Sequence, residues 1–201
     1  MCGRYYVDDD TVREIEKLIR QIDEKRTRGF GSSAGRIEAG DICPGKEAPV
    51  LSGKEGLLCF EWQHWGFPGF QGKKLIFNAR CESALEKPLF RESVLHRRVV
   101  IPAKWFYEWN LRKEKNTFHR KDAPALFMAG FSRRCEDGDH FVVLTTKAND
   151  SMRPVHDRMP LILEREEITE WMLDDTRTES ILQKIPCPLE RQSDYEQLSL
   201  F

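Results

Sequence analysis

Cys2 stands directly behind Met1, and so small a side chain normally lets an initiator methionine be trimmed. The chain would then begin with a thiol beside a free α-amine. An α-amine titrates near ~7.7–8.0 against ~10.4 for lysine, so far more of it is neutral at pH 7. Such an aminothiol can attack an aldehyde through nitrogen and then close through sulfur to a thiazolidine ring. The second step is intramolecular and gains from proximity. The alternative is a second residue with no special task.

Other residues gain meaning beside that cysteine. Phe106-Tyr107-Glu108-Trp109 sets a carboxylate in an aromatic, extended segment. Strand alternation puts Phe106 and Glu108 on one face and Trp105, Tyr107 and Trp109 on the other. If the Glu108 face lines a pocket, the carboxyl suits general acid work; otherwise it is an exposed strand glutamate. His156, in a loop-like stretch, can exchange protons near neutral pH or hydrogen-bond a phosphate; a plain surface histidine is the other reading. Asn78-Ala79-Arg80 offers an amide to orient an amine and a guanidinium to grip a phosphate. Trp62, Trp65, Phe67 and Phe70 surround a Gly/Pro turn, where they either stack on unpaired bases or fill a core. Arg97-Arg98 and Arg133-Arg134 read as solvated faces.

These residues need elements to hold them. Residues 4–7 are β-like, and Asp10 can cap a helix with Val12, Ile15, Leu18, Ile19 and Ile22 along one face. Residues 29–45 carry five glycines in a polar setting and read as a long surface loop. Segments 48–51 and 57–65 look like strands, 75–79 is short and apolar, and 88–96 reads as a helix. Strands are expected over 98–102 and 105–111, then a charged turn over 112–116. Segments 125–131 and 141–146 resemble a hairpin around Asp137-Gly138. Helices near 165–173 and 176–185 precede a polar tail. Strands dominate without a βαβ rhythm, so the class expected is α+β, as one domain over residues 1–190 with a tail over 191–201.

The 201 residues suffice for one domain, or a domain with a small appendage, and a chain of this size buries roughly 70% of its unfolded surface. With 32 basic and 33 acidic residues the formal charge is -1, which argues against a protein that coats duplex DNA through bulk charge. A small cationic groove stays compatible with it. No long apolar run suggests a membrane span. The six cysteines form no C-x-x-C knuckle and the five histidines show no zinc spacing. With no apolar signal segment ahead of Asp8-Asp9-Asp10, the expectation is a reduced, intracellular protein.

The ordered set of segments resembles the SOS-response-associated peptidase family, also described as abasic-site processing proteins. The matching pieces are Met1-Cys2-Gly3-Arg4-Tyr5, Trp65-Gly66, Asn78-Ala79-Arg80, Val100-Ile101-Pro102-Ala103 with Phe106-Tyr107-Glu108-Trp109, Ala129-Gly130, the run from Leu144 to Asn149, and His156-Asp157-Arg158-Met159-Pro160. The resemblance implies a strand-rich, barrel-like core flanked by helices. It implies that Cys2 forms a thiazolidine with the ring-opened aldehyde of an abasic site in single-stranded DNA, after removal of the leading peptide by the protein itself. Asn78 would orient the Cys2 site, and Glu108 and His156 would handle protons. Arg4, Arg80 and Arg158 would hold phosphates, with Gly3, Trp65, Thr145 and Thr146 also placed on the DNA. No cofactor, metal or membrane is implied, and the chain is expected to be a monomer of the cytoplasm, on the nucleoid when bound to DNA. The family commonly has Trp-Gly-Leu-Ile-Pro, where this chain has Trp65-Gly66-Phe67-Pro68-Gly69. A usual glycine is here Trp105, and a usual threonine is Ser83. The first two departures bear on the shape of the DNA groove. Two other classes fit the same residues: an N-terminal-nucleophile cysteine peptidase, and a module that binds single-stranded or modified DNA without reacting.

Overall fold

The computed structural model describes residues 2–21, 39–54, 57–69 and 74–193. The strands are β1 (Tyr5–Val7), β2 (Gly40–Ile42), β3 (Glu47–Lys54), β4 (Leu57–Trp65), β5 (Asn78–Arg80), β6 (Arg98–Ala103), β7 (Trp105–Trp109), β8 (Lys115–His119), β9 (Leu126–Cys135), β10 (Gly138–Lys147), β11 (Arg158–Pro160) and β12 (Glu190–Ser193). The helices are α1 (Asp9–Gln21), α2 (Cys81–Ala84), α3 (Pro88–His96), α4 (Glu167–Leu173) and α5 (Thr178–Leu182).

Strands β10, β4, β3, β6 and β9 follow one another, and the pairing of β9 with β10 closes them into a barrel. All of these pairings are antiparallel except β10 with β4. The short strands β5 and β11 are added to β10 outside this ring. β6 reads Arg-Val-Val-Ile-Pro-Ala and is buried at every position, as a strand covered on both faces must be. A second sheet in the order β12-β8-β7-β1-β2 is antiparallel throughout.

Alternation along the shared strands feeds two apolar layers. Val99 and Ile101 join Tyr5, Phe106, Phe118, Trp65 and Phe141 in the layer that ties the second sheet to the barrel. Val100 joins Phe90, Phe131, Ile168 and Trp171 in the layer that seats the helices. The α+β class and the barrel-like core expected from the sequence are both present. At Gly130 in β9, an added Cβ would lie 2.5 Å from the Val142 carbonyl oxygen, so the Ala129-Gly130 step needs its missing side chain. No helix among the described residues is long and apolar enough to cross a membrane.

Several local expectations change. Asp8, not Asp10, caps α1: its Oδ1 accepts the Thr11 N–H at 3.0 Å, because only the residue before the first turn can reach that donor. Ile22 and most of the 29–45 loop lie outside the described residues, but Gly40–Ile42 within it forms β2 against β1. β7 stops at Trp109, and part of the expected charged turn is β8, whose inward Asn116 breaks the apolar alternation. The expected polar tail contributes Arg191, Gln192 and Ser193 to β12, since backbone pairing with β8 needs no apolar pattern. Arg98 is not solvated. It is 4% exposed, donates to the Trp171 and Leu95 carbonyls, and meets Asp175 Oδ1 at 2.6 Å. The guanidinium thus ties the C-terminal ends of α3 and α4 to the barrel.

Candidate active site

The segment before β1 is fixed by its neighbour strand. The Tyr107 N–H donates to the Arg4 carbonyl at 3.0 Å, which sets β7 alongside the stretch that begins at Cys2. On that register Phe106 and Glu108 turn inward, with Glu108 5% exposed. Cys2 is 1% exposed. From the opposite side β5 runs parallel to β10, pairing Asn78 with Val143, and presents the Asn78 amide to the same place. Asn78 Nδ2 donates to the Cys2 carbonyl oxygen at 2.8 Å. Asn78 Oδ1 is buried and has no hydrogen-bond partner among the described residues. Glu108 Oε1 accepts the Trp109 N–H at 3.3 Å. Trp109 in turn lines a cavity of about 580 Å³ together with His156.

His156 is part-exposed on the turn before β11. Its Nδ1 lies 2.9 Å from both the Arg158 amide nitrogen and Asp157 Oδ1. The amide contact is set by the backbone, whereas the Asp157 side chain is 87% exposed and free to turn away. With Nδ1 accepting the Arg158 N–H, the neutral imidazole carries its proton on Nε2.

Burial, and secondarily the Glu108 carboxylate, pushes the Cys2 thiol up to about 12. Burial and Glu82 do the same for Cys81, also to about 12. Burial, then the nearby Cys2, pushes the Tyr5 hydroxyl well above the ordinary tyrosine range, so it stays protonated. The Cys2 sulfur is therefore a neutral thiol at pH 7, and nitrogen is the better first nucleophile. The shifts also fix a pH dependence. Unfolded thiols ionise near 9.0, and the folded chain keeps Cys2 and Cys81 neutral to about 12. In that window the unfolded state binds fewer protons, so stability present below ~9 is lost as pH rises. Urea unfolding midpoints measured from pH 7 to 10.5 should fall above pH 9. Cys81→Ala should flatten that fall, and an unchanged slope would mean that the thiol ionises freely in the folded protein.

The residues expected on DNA divide in two. Arg80 is exposed, Gly3 and Thr146 are part-exposed, and Arg4 has 43% of its side chain exposed with its guanidinium 5.6 Å from the Trp109 ring centre. Trp65, Thr145 and Arg158 are placed otherwise. Trp65 is fully buried, because its ring packs between Tyr5, Phe77 and Phe141. Its Nε1–H donates to the Phe77 carbonyl at 2.9 Å, so it steadies the residue before Asn78 and does not reach a base. Phe67 is likewise core, and Phe70 lies outside the described residues. Thr145 is fully buried and donates to the Ala79 carbonyl at 3.3 Å. Arg158 is 8% exposed, forks onto both Glu82 oxygens at 2.6 and 2.8 Å, and donates to the Thr145 carbonyl at 2.5 Å. It holds α2 to β10 instead of presenting an open fork to a phosphate.

The family model described as SOS response associated peptidase (SRAP) matches residues 1–199. The chain belongs to that family. Among its relatives, the abasic site processing protein YedK of Escherichia coli K12 is 28% identical over 180 residues, covering 86% of this chain and 79% of that one. The abasic site processing protein YoaM of Bacillus subtilis 168 is 33% identical over 128 residues, or 59% of this chain and 56% of its own length. A crystal structure of a Bordetella bronchiseptica protein superimposes with a TM-score of 0.73 at 23% identity, covering 96% of this chain and 99% of that one, which is a likeness of fold.

Within this SRAP chain, several supporting residues escape a reading by motif. Gly66 follows Trp65 because its φ of +113° and a Cβ position 2.5 Å from Leu75 Cγ both exclude a side chain. Tyr5 lies inside the quoted N-terminal segment, yet only the fold shows its hydroxyl buried near Cys2, with no hydrogen-bond partner among the described residues. Glu82 follows Asn78-Ala79-Arg80 at a fixed step, but its partner Arg158 is 76 residues away. Trp105, which raised the question of groove shape, lies on the outer face of the second sheet, stacked on Tyr6 at 4.4 Å.

Proposed function

We propose that this protein, once Met1 is removed, bonds covalently through Cys2 to the ring-opened aldehyde of an abasic site in single-stranded DNA. The observation that carries the reading is the preassembled set around Cys2: the Asn78 amide on its carbonyl, and the buried Glu108 carboxylate close enough to raise its thiol. The names of the relatives as abasic site processing proteins support it.

In this reaction the Cys2 α-amine adds to the aldehyde carbon, forming a C–N bond, and the amine proton passes to the oxygen. Loss of water from the carbinolamine leaves an imine. Sγ then adds to the imine carbon while its proton moves to the ring nitrogen by way of a nearby base. Aldehyde and aminothiol thus give thiazolidine and one water, with no oxidant or reductant. Glu108 and His156 carry the protons, and Asn78 Oδ1 is the acceptor available to orient the amine. The exposed Arg4 and Arg80 hold flanking phosphates. Release of Met1 by the chain itself would draw on the same Cys2 and Glu108.

The test is incubation of trimmed protein with an abasic single strand, followed by denaturing electrophoresis and intact mass. A heat-stable adduct equal to protein plus strand minus one water is expected. Protein whose intact mass shows a residue still ahead of Cys2 should give none. Absence of the adduct with correctly trimmed protein would overturn the proposal.

A further inference from the structure

The face of β7 opposite Glu108 carries the part-exposed Trp105 and Trp109 with Tyr107, only 9% exposed, between them, and each ring has its own cation. Arg4 lies 5.6 Å from the Trp109 ring centre, Lys115 Nζ 5.1 Å from that of Tyr107, and Lys104 Nζ 5.7 Å from that of Trp105. The rings are locked. Trp105 Nε1–H donates to the Tyr107 hydroxyl at 2.7 Å, which donates to Asp41 Oδ1 at 3.0 Å. Tyr6 stacks on Trp105 with an interplanar angle of 6°. Beside Trp105, Tyr107 and both lysines is a cavity of about 490 Å³, separate from the one that holds His156.

From this geometry we infer a second single-strand subsite, in which unpaired nucleotides flanking the abasic site run along β7 away from Cys2. The inference rests on the reading above. Three features select this occupant. The strip reaches the site, because Trp109 lines the same cavity as His156, and Arg4, against the Trp109 ring, lies two residues from Cys2. Trp105 and Trp109 stand four strand residues apart, roughly 13 Å, well beyond the ~3.4 Å rise per nucleotide along a duplex axis, so the two indoles suit bases of a strand drawn out and unstacked. Half-buried indoles with interleaved cations are how unpaired bases are held without sequence preference. The cations are shared with acids: Lys104 meets Asp8 and Asp10, and Arg4 lies 3.7 Å from Asp41. Stacking must therefore supply most of the affinity, with a shallow dependence on salt.

The test uses trimmed protein and two kinds of abasic strand. One has a single nucleotide on each side of the lesion; the other adds six unpaired thymidines on one side or the other. Extension on one side only should lower the half-saturating strand concentration. Trp105→Ala should weaken the extended strand about tenfold, the scale of one lost base–ring stack, and leave the short strand and the plateau crosslinking rate unchanged. Lys115→Glu, at a part-exposed position, should reduce the same gain if Trp105→Ala fails to fold. Equal losses on short and extended strands, or an extension gain that survives both changes, would overturn the proposal. If no strand crosslinks, the fault lies with the covalent reading. The strip is then judged by non-covalent binding of oligothymidine to Cys2→Ala protein, which Trp105→Ala must weaken. Undiminished binding there assigns the strip to another partner, such as a peptide, and also overturns the proposal.

Discussion

Cys2→Ala in trimmed protein is expected to abolish the heat-stable adduct, the largest effect of any single substitution in this chain. Alanine keeps a free α-amine but no sulfur, so an imine can form and hydrolyse but cannot close. Cys2→Ser separates the steps. Its hydroxyl is a far weaker nucleophile than a thiol, so the closed ring should fall by at least ~100-fold, in keeping with the large effective molarities that a well-placed second nucleophile provides. A borohydride-trappable imine should persist in both variants. Because Cys2 is 1% exposed, each variant also needs a melting curve; truncation of so small a core side chain costs about 1 kcal/mol, too little to unfold the domain. A heat-stable adduct that survived Cys2→Ala would place the chemistry on another residue.

Glu108→Gln should come next, with crosslinking slowed by ~10²–10⁴, the usual worth of a positioned proton carrier. Glutamine keeps the shape and can still accept the Trp109 N–H, so fold and non-covalent strand binding should stay intact. The pH profile makes the result specific. Burial is the first cause of the raised Cys2 thiol and the Glu108 charge the second, so removing the charge relieves only part of the shift. The variant's thiol should still be neutral at pH 7, without its carboxylate base, and its rate should climb with pH from 7 to 9 more steeply than that of the wild type. Single-turnover rates across that range decide it. A uniform loss with an unchanged profile would make Glu108 a structural anchor only.

The parts of the fold that were legible in advance share one property: their signal is local. Alternation in Phe106-Tyr107-Glu108-Trp109 put Glu108 on the Phe106 face, which the fold then turned inward, and the Asp137-Gly138 turn marked the β9–β10 hairpin. β8 and β12 were not legible, since Asn116 and the polar Glu190–Ser193 run pair through backbone groups that have no sequence signature. Arg98, Trp65, Thr145 and Arg158 are all more enclosed than their residue types suggest. A charged or aromatic side chain looks available until the carbonyl or carboxylate that occupies it is known, and those partners come from other strands and helices.

The sequence by itself named the candidate reactive group and its candidate helpers, because an N-terminal cysteine, an amide, a carboxylate and an imidazole are chemistries that residue type alone specifies. It also determined the α+β class, through hydrophobic period. Only the tertiary structure decided which helpers meet. Asn78 reaches the Cys2 carbonyl across 76 residues because β5 lies beside β10, and Glu108 lies near Cys2 because β7 pairs with β1. Only tertiary structure also divided the arginines, leaving Arg4 and Arg80 toward solvent while Glu82 and the Thr145 carbonyl hold Arg158. The physical reason is the same in each case. Hydrogen bonds and burial depend on distances between segments far apart in the chain, and strand pairing sets those distances.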